Sequence, residues 1–201
     1  MLIGIDEVGR GAWAGPLLVV ACATHGVAQV ELKDSKLLSK RQREALIPAL
    51  KSAFRFGEGW VNPDEIDKIG LTEAMRLGVT RALGGLKADT KTKIIMDGTI
   101  NYCDLSFSNV VCEAKADAKY PVVSAASIYA KVLRDQKMTE LSLEYPDYGF
   151  EGHVGYGTEK HSEALKKFGV SKIHRLSYKP VKEVLINDNN QHRKTSRTSS
   201  R

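Results

Sequence analysis

The sequence predicts an α/β fold, three layers thick, around one sheet. Three observations predict it. Short β-branched apolar runs alternate with helical patterns along the chain. The helical stretches carry start signals, and the clearest of them shows one apolar face. The chain has 201 residues, 42% of them hydrophobic, which suits one domain with a sizeable core. Residues 1–186 are expected to form that domain, and 187–201 a disordered basic tail.

The first strand is expected over 1–8. Leu17–Ala23 is the second, since its β-branched run is too short for a helix. Ser39 reads as an N-cap, and Gln42 three residues on completes a capping box. The helix it starts runs toward Phe54, with Pro48 expected to kink or break it. Phe54–Val61 reads as a third strand. Leu71, Ala74, Met75, Gly78, Val79, Ala82, Leu83 and Leu86 share one face of a helix over 71–86. Lys93–Thr99 is a short strand ending in an Asp-Gly turn, and Phe107–Ala114 is another strand. A long helix from about Val122 to Tyr145 is stopped by Pro146. Thr158 caps a last helix, with Glu159 in its first turn.

Composition excludes several classes. No apolar run approaches the roughly 18 residues that span a bilayer. The N-terminus has neither a basic region nor a cleavage site, so a cytoplasmic location is expected. The three cysteines, Cys22, Cys103 and Cys112, show no C-x-x-C spacing and no histidines at zinc intervals. Buried thiols are the expectation. Net charge is +6, and the tail holds Arg193, Lys194, Arg197 and Arg201 against Asp188, which is half of that excess. Such a charge is compatible with a polyanionic partner without establishing one. No glycine-rich nucleotide loop is present, so a nucleotide cofactor is not expected.

Four acidic residues share one kind of place. Asp6 and Glu7 close the first strand, Asp97 closes "KIIMD", and Asp117 lies between a strand and the long helix. Ligands of open α/β sheets gather where strands end. Each residue alone also suits a solvated turn. Asp135 extends the apolar stripe of Ala125, Ile128 and Val132, so it faces inward and needs a partner. A functional role and an ion pair with Lys131 or Arg134 both satisfy that need. Neighbouring strand residues point to opposite faces, so a glycine-rich turn or a bulge is expected to re-aim Asp6 or Glu7. Oxygen ligands alone select hard cations such as Mg²⁺ or Mn²⁺, and two such ions suit in-line phosphoryl transfer. Glycoside hydrolysis needs only two acids, but usually an aromatic platform that 7% aromatic content supplies poorly.

Other segments suit phosphate and base contacts. Lys33, Ser35 and Lys36 precede a helix start, where hydroxyl, ammonium and backbone N–H groups can meet phosphate; a solvated basic turn is the alternative. Gly9-Arg10-Gly11 lets backbone approach a ligand closely. "YGFEGHVGYGTEKH" (148–161) interleaves aromatics, histidines and glycines, which suits stacking on bases or a plain surface loop.

Taken in order, these segments resemble ribonuclease HII, the type 2 ribonuclease H. The matching stretches are "DEVGRG" (6–11), "DSKLLS" (34–39), "MDG" (96–98), "KADAKYPVVSAASIYAKVLRD" (115–135), "YGFEGHVGYGTEKH" (148–161) and "IHRLSYKPVK" (173–182). The resemblance implies an RNase H-like fold: a mixed five-stranded sheet flanked by helices, with a helical C-terminal portion. It implies Mg²⁺- or Mn²⁺-dependent hydrolysis of the RNA strand of RNA–DNA hybrids, and cleavage 5′ of single ribonucleotides in duplex DNA. The products are a 3′-hydroxyl and a 5′-phosphate, in the service of ribonucleotide and RNA-primer removal. Carried over by motif, Asp6, Glu7, Asp97 and Asp117 are the catalytic metal ligands, and Asp135 is a further acidic position. Gly9, Arg10, Gly11 and Tyr156 match the positions that read the RNA-to-DNA junction. Ser35, Lys36 and Arg175 are expected on the substrate. The sequence departs from the family pattern at Val154, where lysine is common, and at Gly157, where proline or alanine is common. The archaeal clamp-binding tail motif and the N-terminal extension of type 3 enzymes are absent from it. A monomer is expected.

Two other classes stay open on the residues. One is another nuclease of the same fold, such as a DNA junction resolvase. The other is a hybrid-binding protein with a structural acidic cluster.

Overall fold

The computed structural model describes residues 1–24 and 38–186. Five strands form one mixed sheet in the order β3-β2-β1-β4-β5. The strands are β1 (Leu2–Val8), β2 (Leu17–Thr24), β3 (Phe54–Val61), β4 (Lys93–Asp97) and β5 (Val110–Glu113). β1, β2 and β3 are an antiparallel meander, while β4 and β5 join β1 in parallel. The helices are α1 (Lys40–Ala53), α2 (Pro63–Leu86), α3 (Pro121–Glu144), the single turn α4 (Phe150–His153) and α5 (Glu159–Phe168). Residues 179–186 are also helical. The expected mixed five-stranded sheet flanked by helices, with a helical C-terminal portion, is what the chain forms.

Strand alternation divides the core in two. Ile3, Ile5, Val19, Ala21, Ile94 and Met96 face α2. Leu18, Val20, Cys22 and Ile95 face α3 and α1. α3 lies close on β1 because Gly4 has no side chain. A Cβ there would fall 2.5 Å from the backbone of Val122 and Val123. Pro121 opens α3 at its first position, where its missing N–H costs nothing.

The Ser39–Gln42 capping box forms as expected, but Pro48 does not break α1. Pro48 lies on the exposed side of the helix, so the lost backbone bond is not enclosed in the core. α2 starts eight residues before the expected 71, capped by Asn62 and Glu65 with Pro63 at the first position. Its two pieces meet at a kink at Gly70, where φ is 78°. Ser35, Lys36 and the tail from 187 lie outside the described residues.

Candidate active site

β1 and β4 run side by side, with Ile5 beside Met96 as the last paired residues. One step on, Asp6 and Asp97 take the parity of Gly4 and Ile95, toward α3. Asp6 is buried; its carboxylate accepts from the N–H of Glu7 at 2.8 Å and from the Ser127 hydroxyl of α3. Burial first, and then the charge of Glu7, push the Asp6 carboxyl up to about 7. Asp97 accepts the N–H of Ala116 at 2.7 Å. That bond ties the end of β4 to the 3₁₀ turn Ala116–Ala118, which carries the buried Asp117. Lys115 makes the turn possible by adopting φ 61°. Glu113 at the end of β5 pairs with Lys119 and accepts from the Tyr120 hydroxyl, which fixes the start of α3.

The expected re-aiming of Asp6 or Glu7 does not occur. The β1–β2 ladder continues unbroken, with Asp6 opposite Val20 and Glu7 opposite Val19. Glu7 therefore takes the other face of the sheet. It reaches the cluster because β4 stops at Asp97, leaving no further β4 residue beside it. Burial and the Asp97 charge raise the Glu7 carboxyl, and Arg10, 3.8 Å away, opposes them. Asp6, Glu7 and Asp97 thus form one coupled set of like charges. Among the described residues, no three His, Cys, Asp or Glu side chains are gathered tightly enough to chelate an ion as they stand.

Beside this set lies the Gly9–Gly15 loop. Arg10 and Gly11 are exposed, while Gly9 is buried with φ 86°. Its N–H donates to the Tyr156 hydroxyl at 3.0 Å, so Tyr156 and the Gly9-Arg10-Gly11 turn are brought together. A Cβ on Gly9 would fall 2.1 Å from Arg134 Nε.

Two expectations change. Asp135 is buried, but Lys131 one turn earlier takes it as an ion-pair partner at 2.8 Å. The ion-pair alternative is the one realised. Arg175 is fully buried rather than facing outward. Its guanidinium donates to the carbonyls of Gly15 (2.9 and 3.1 Å) and Arg10 (3.0 Å). A cation committed to backbone carbonyls inside the protein shapes the loop and does not reach a ligand.

Arg134, expected at most as an ion-pair partner of Asp135, serves the loop instead. It is fully buried, donates to the carbonyls of Pro16, Ala14 and Val154, and lies 5.4 Å from the centre of the Tyr156 ring. The signal was present in its position. Ala130, Arg134, Met138 and Leu141 follow one apolar stripe of α3, so Arg134 has to point inward.

The family model of ribonuclease HII matches residues 3–181. The chain belongs to the ribonuclease HII family. It is 40% identical over 190 residues to ribonuclease HII of Dichelobacter nodosus, covering 94% of this chain and 99% of that one. Against ribonuclease HII of Hydrogenovibrio crunogenus it is 42% identical over 189 residues, covering 92% and 88%. The fold matches ribonuclease HII in its complex with PCNA from Archaeoglobus fulgidus, with a TM-score of 0.74, 28% identity and coverage of 92% and 96%. Membership in ribonuclease HII makes the chain a ribonuclease H, a hydrolase acting on RNA–DNA substrates. Among the described residues no helix is long and apolar enough to cross a membrane.

Of the two departures from the ribonuclease HII pattern, Gly157 has a local reason. At Gly157 a Cβ would fall 2.1 Å from the Trp13 indole, so the glycine makes room for the tryptophan. Val154 takes φ 44°, costly for a β-branched residue, and its carbonyl is held by Arg134 at 2.9 Å.

Proposed function

We propose that this ribonuclease HII cuts 5′ of single ribonucleotides in duplex DNA as well as within RNA–DNA hybrids, by two-metal-ion hydrolysis. The observation that carries the reading is the set of Asp6, Glu7 and Asp97 at adjacent strand ends, with Glu7 two residues before the Gly9–Tyr156 contact.

Mg²⁺ or Mn²⁺ fits the residues present. The donors are all carboxylate oxygens, the choice of hard cations. Burial and neighbouring carboxylates raise both Asp6 and Glu7, and a positive charge among them would relieve that strain. Asp6, Glu7, Asp97 and Asp117 would hold the ions. When bound, such ions stabilise the attacking and leaving oxygens of an in-line displacement at phosphorus.

The chain's own residues do the rest. Ser127 fixes the orientation of Asp6, and the Ala116 N–H fixes that of Asp97. Arg10, half-exposed beside Glu7, offers its guanidinium to a phosphate. Gly11, open to solvent with no atom near its Cβ position, lets a sugar–phosphate chain approach the backbone. Tyr156 accepts from Gly9, which leaves its own hydroxyl hydrogen for a second partner, such as the 2′-hydroxyl that marks RNA. Hydrolysis leaves a 3′-hydroxyl and a 5′-phosphate.

The test is a cleavage assay on a DNA duplex with one ribonucleotide, in Mg²⁺ and in Mn²⁺, with an all-DNA control. A single cut 5′ of the ribonucleotide is expected. Cutting of the all-DNA duplex, or metal-independent binding without any cut, would overturn the reading.

A further inference from the structure

Three imidazoles lie outside the carboxylate set, and the chemistry above does not use them. The His153 and His161 rings stack with centroids 4.5 Å apart, and His161 Nε2 lies 3.0 Å from His174 Nε2. His161 and His174 are buried.

Their partners fix where each hydrogen sits. A backbone N–H can only donate, and a carbonyl can only accept. His174 Nδ1 receives the N–H of Ser171 at 2.9 Å, so its hydrogen is on Nε2. His161 Nδ1 lies 3.0 Å from the Tyr156 carbonyl, so it carries the hydrogen and its Nε2 is bare. The Nε2–H of His174 therefore points at a lone pair of His161. His153 is fixed the same way, donating from Nε2 to the Tyr148 carbonyl at 2.8 Å and accepting the Gly155 N–H at Nδ1. His161 and His174 are thus each held in one neutral tautomer. Turning one over would set donor against donor, or a lone pair against a carbonyl.

The result is a directed chain: Ser171 N–H to His174, His174 to His161, His161 to the Tyr156 carbonyl. Bonds aligned in this way polarise and strengthen one another. The chain ends on the residue whose hydroxyl receives the Gly9 N–H. We propose that His161 and His174 are positioning residues that hold the Tyr156 backbone so that its hydroxyl stays on Gly9, and thereby set how well the enzyme recognises a lone ribonucleotide. This rests on the reading of Tyr156 given under the proposed function. Filling the core would need only the volume of the rings, whereas positioning needs the bond to Tyr156.

Two half-isosteres at one position separate these roles. His161→Asn places an amide nitrogen near Nδ1, keeping the donor to Tyr156 and losing His174. His161→Gln places an amide oxygen near Nε2, keeping the acceptor for His174 and losing Tyr156. The readout is kcat/KM on a duplex with one ribonucleotide divided by kcat/KM on a long RNA–DNA hybrid, with melting curves and Tyr156→Ala as reference. Tyr156→Ala should lower the ratio. His161→Gln should lower it about fivefold, the worth of one lost hydrogen bond, while His161→Asn stays within about twofold of wild type, although both melt earlier. Equal ratios for the two variants, with Tyr156→Ala still lowering its own, would overturn the relay and leave the reading of Tyr156 standing. An unchanged ratio in Tyr156→Ala would overturn that reading, and the relay with it. If His161→Gln does not fold, nitrogen NMR of the wild-type imidazoles decides. Hydrogens on His161 Nδ1 and His174 Nε2 support the relay, and the opposite pair overturns it.

Discussion

Lowering the pH from 7 to 5 should weaken the fold through His161 and His174. Burial pushes both imidazoles down from 6.5 to about 4. In the unfolded chain they titrate near 6.5, so between those values the unfolded state binds protons that the folded state refuses. Stability from these groups is therefore complete above about pH 6.5 and is lost as the pH falls toward 4. At pH 5 the unfolded imidazole is almost fully charged and the folded one about a tenth charged, a difference of about 2 kcal/mol for each ring. The pair then costs about 4 kcal/mol, a large part of the roughly 5–15 kcal/mol that holds a domain together. Asp6, pushed up to about 7, acts with the opposite sign: its folded carboxyl binds a proton first, so acid favours the fold there. The comparison is urea unfolding of the wild type and of the double variant His161→Asn, His174→Gln at pH 7, 6 and 5, in chelator. Asp6 and the remaining carboxylates cancel in the difference. The wild type should lose about 4 kcal/mol more than the variant across that interval. Equal losses would refute the neutral, enclosed arrangement of the two rings.

Other outcomes follow from the site. Asp97→Asn keeps an oxygen for the Ala116 N–H but removes a charge, so cleavage should fall on the order of 10²-fold or more with substrate binding retained; near-normal turnover in Mg²⁺ would refute its role as a ligand. Gly157→Ala drives a methyl into the Trp13 indole and should cost about 1–3 kcal/mol by thermal unfolding, most of it recovered in the double variant with Trp13→Leu; additive losses would contradict the shared space. Removing 187–201 takes away about three net positive charges and should flatten the salt dependence of substrate binding, each lost phosphate contact changing the log–log slope by about 0.9; an unchanged slope means the tail does not touch nucleic acid.

Most of the framework was legible because its signals are local. The β-branched run at Leu17–Ala23, the short apolar stretch at Phe54–Val61, the Ser39 box and the Thr158 cap each act within a few residues, and each appears in the structure. Asp6 and Asp97 were legible as strand-end acids. Their shared face depends on the β1–β4 register, which no local pattern reveals. A re-aimed Asp6 or Glu7 is expected because neighbouring strand residues point to opposite faces. In fact β4 ends at Asp97, and an unbroken strand suffices. Arg175 is expected on the substrate from the resemblance of its segment alone, and only the fold shows that the carbonyls of Arg10 and Gly15 converge on it. The histidine relay was illegible for the same reason: neither the spacing of 153, 161 and 174 nor their composition says which ring nitrogen meets which partner.

The grip of Arg175 on Arg10 and Gly15 also bears on the order of synthesis. The antiparallel meander closes through neighbours in sequence, and such pairings form early. The turn that follows β1 is different, since the guanidinium that gathers its carbonyls lies 165 residues downstream. A ribosome must therefore deliver nearly the whole chain before the loop after β1 can be clamped. A half-made copy carries the acidic strand and the loop after it without the arginine that gathers the carbonyls of Arg10 and Gly15, so the clamp on that loop is among the last contacts the chain can make.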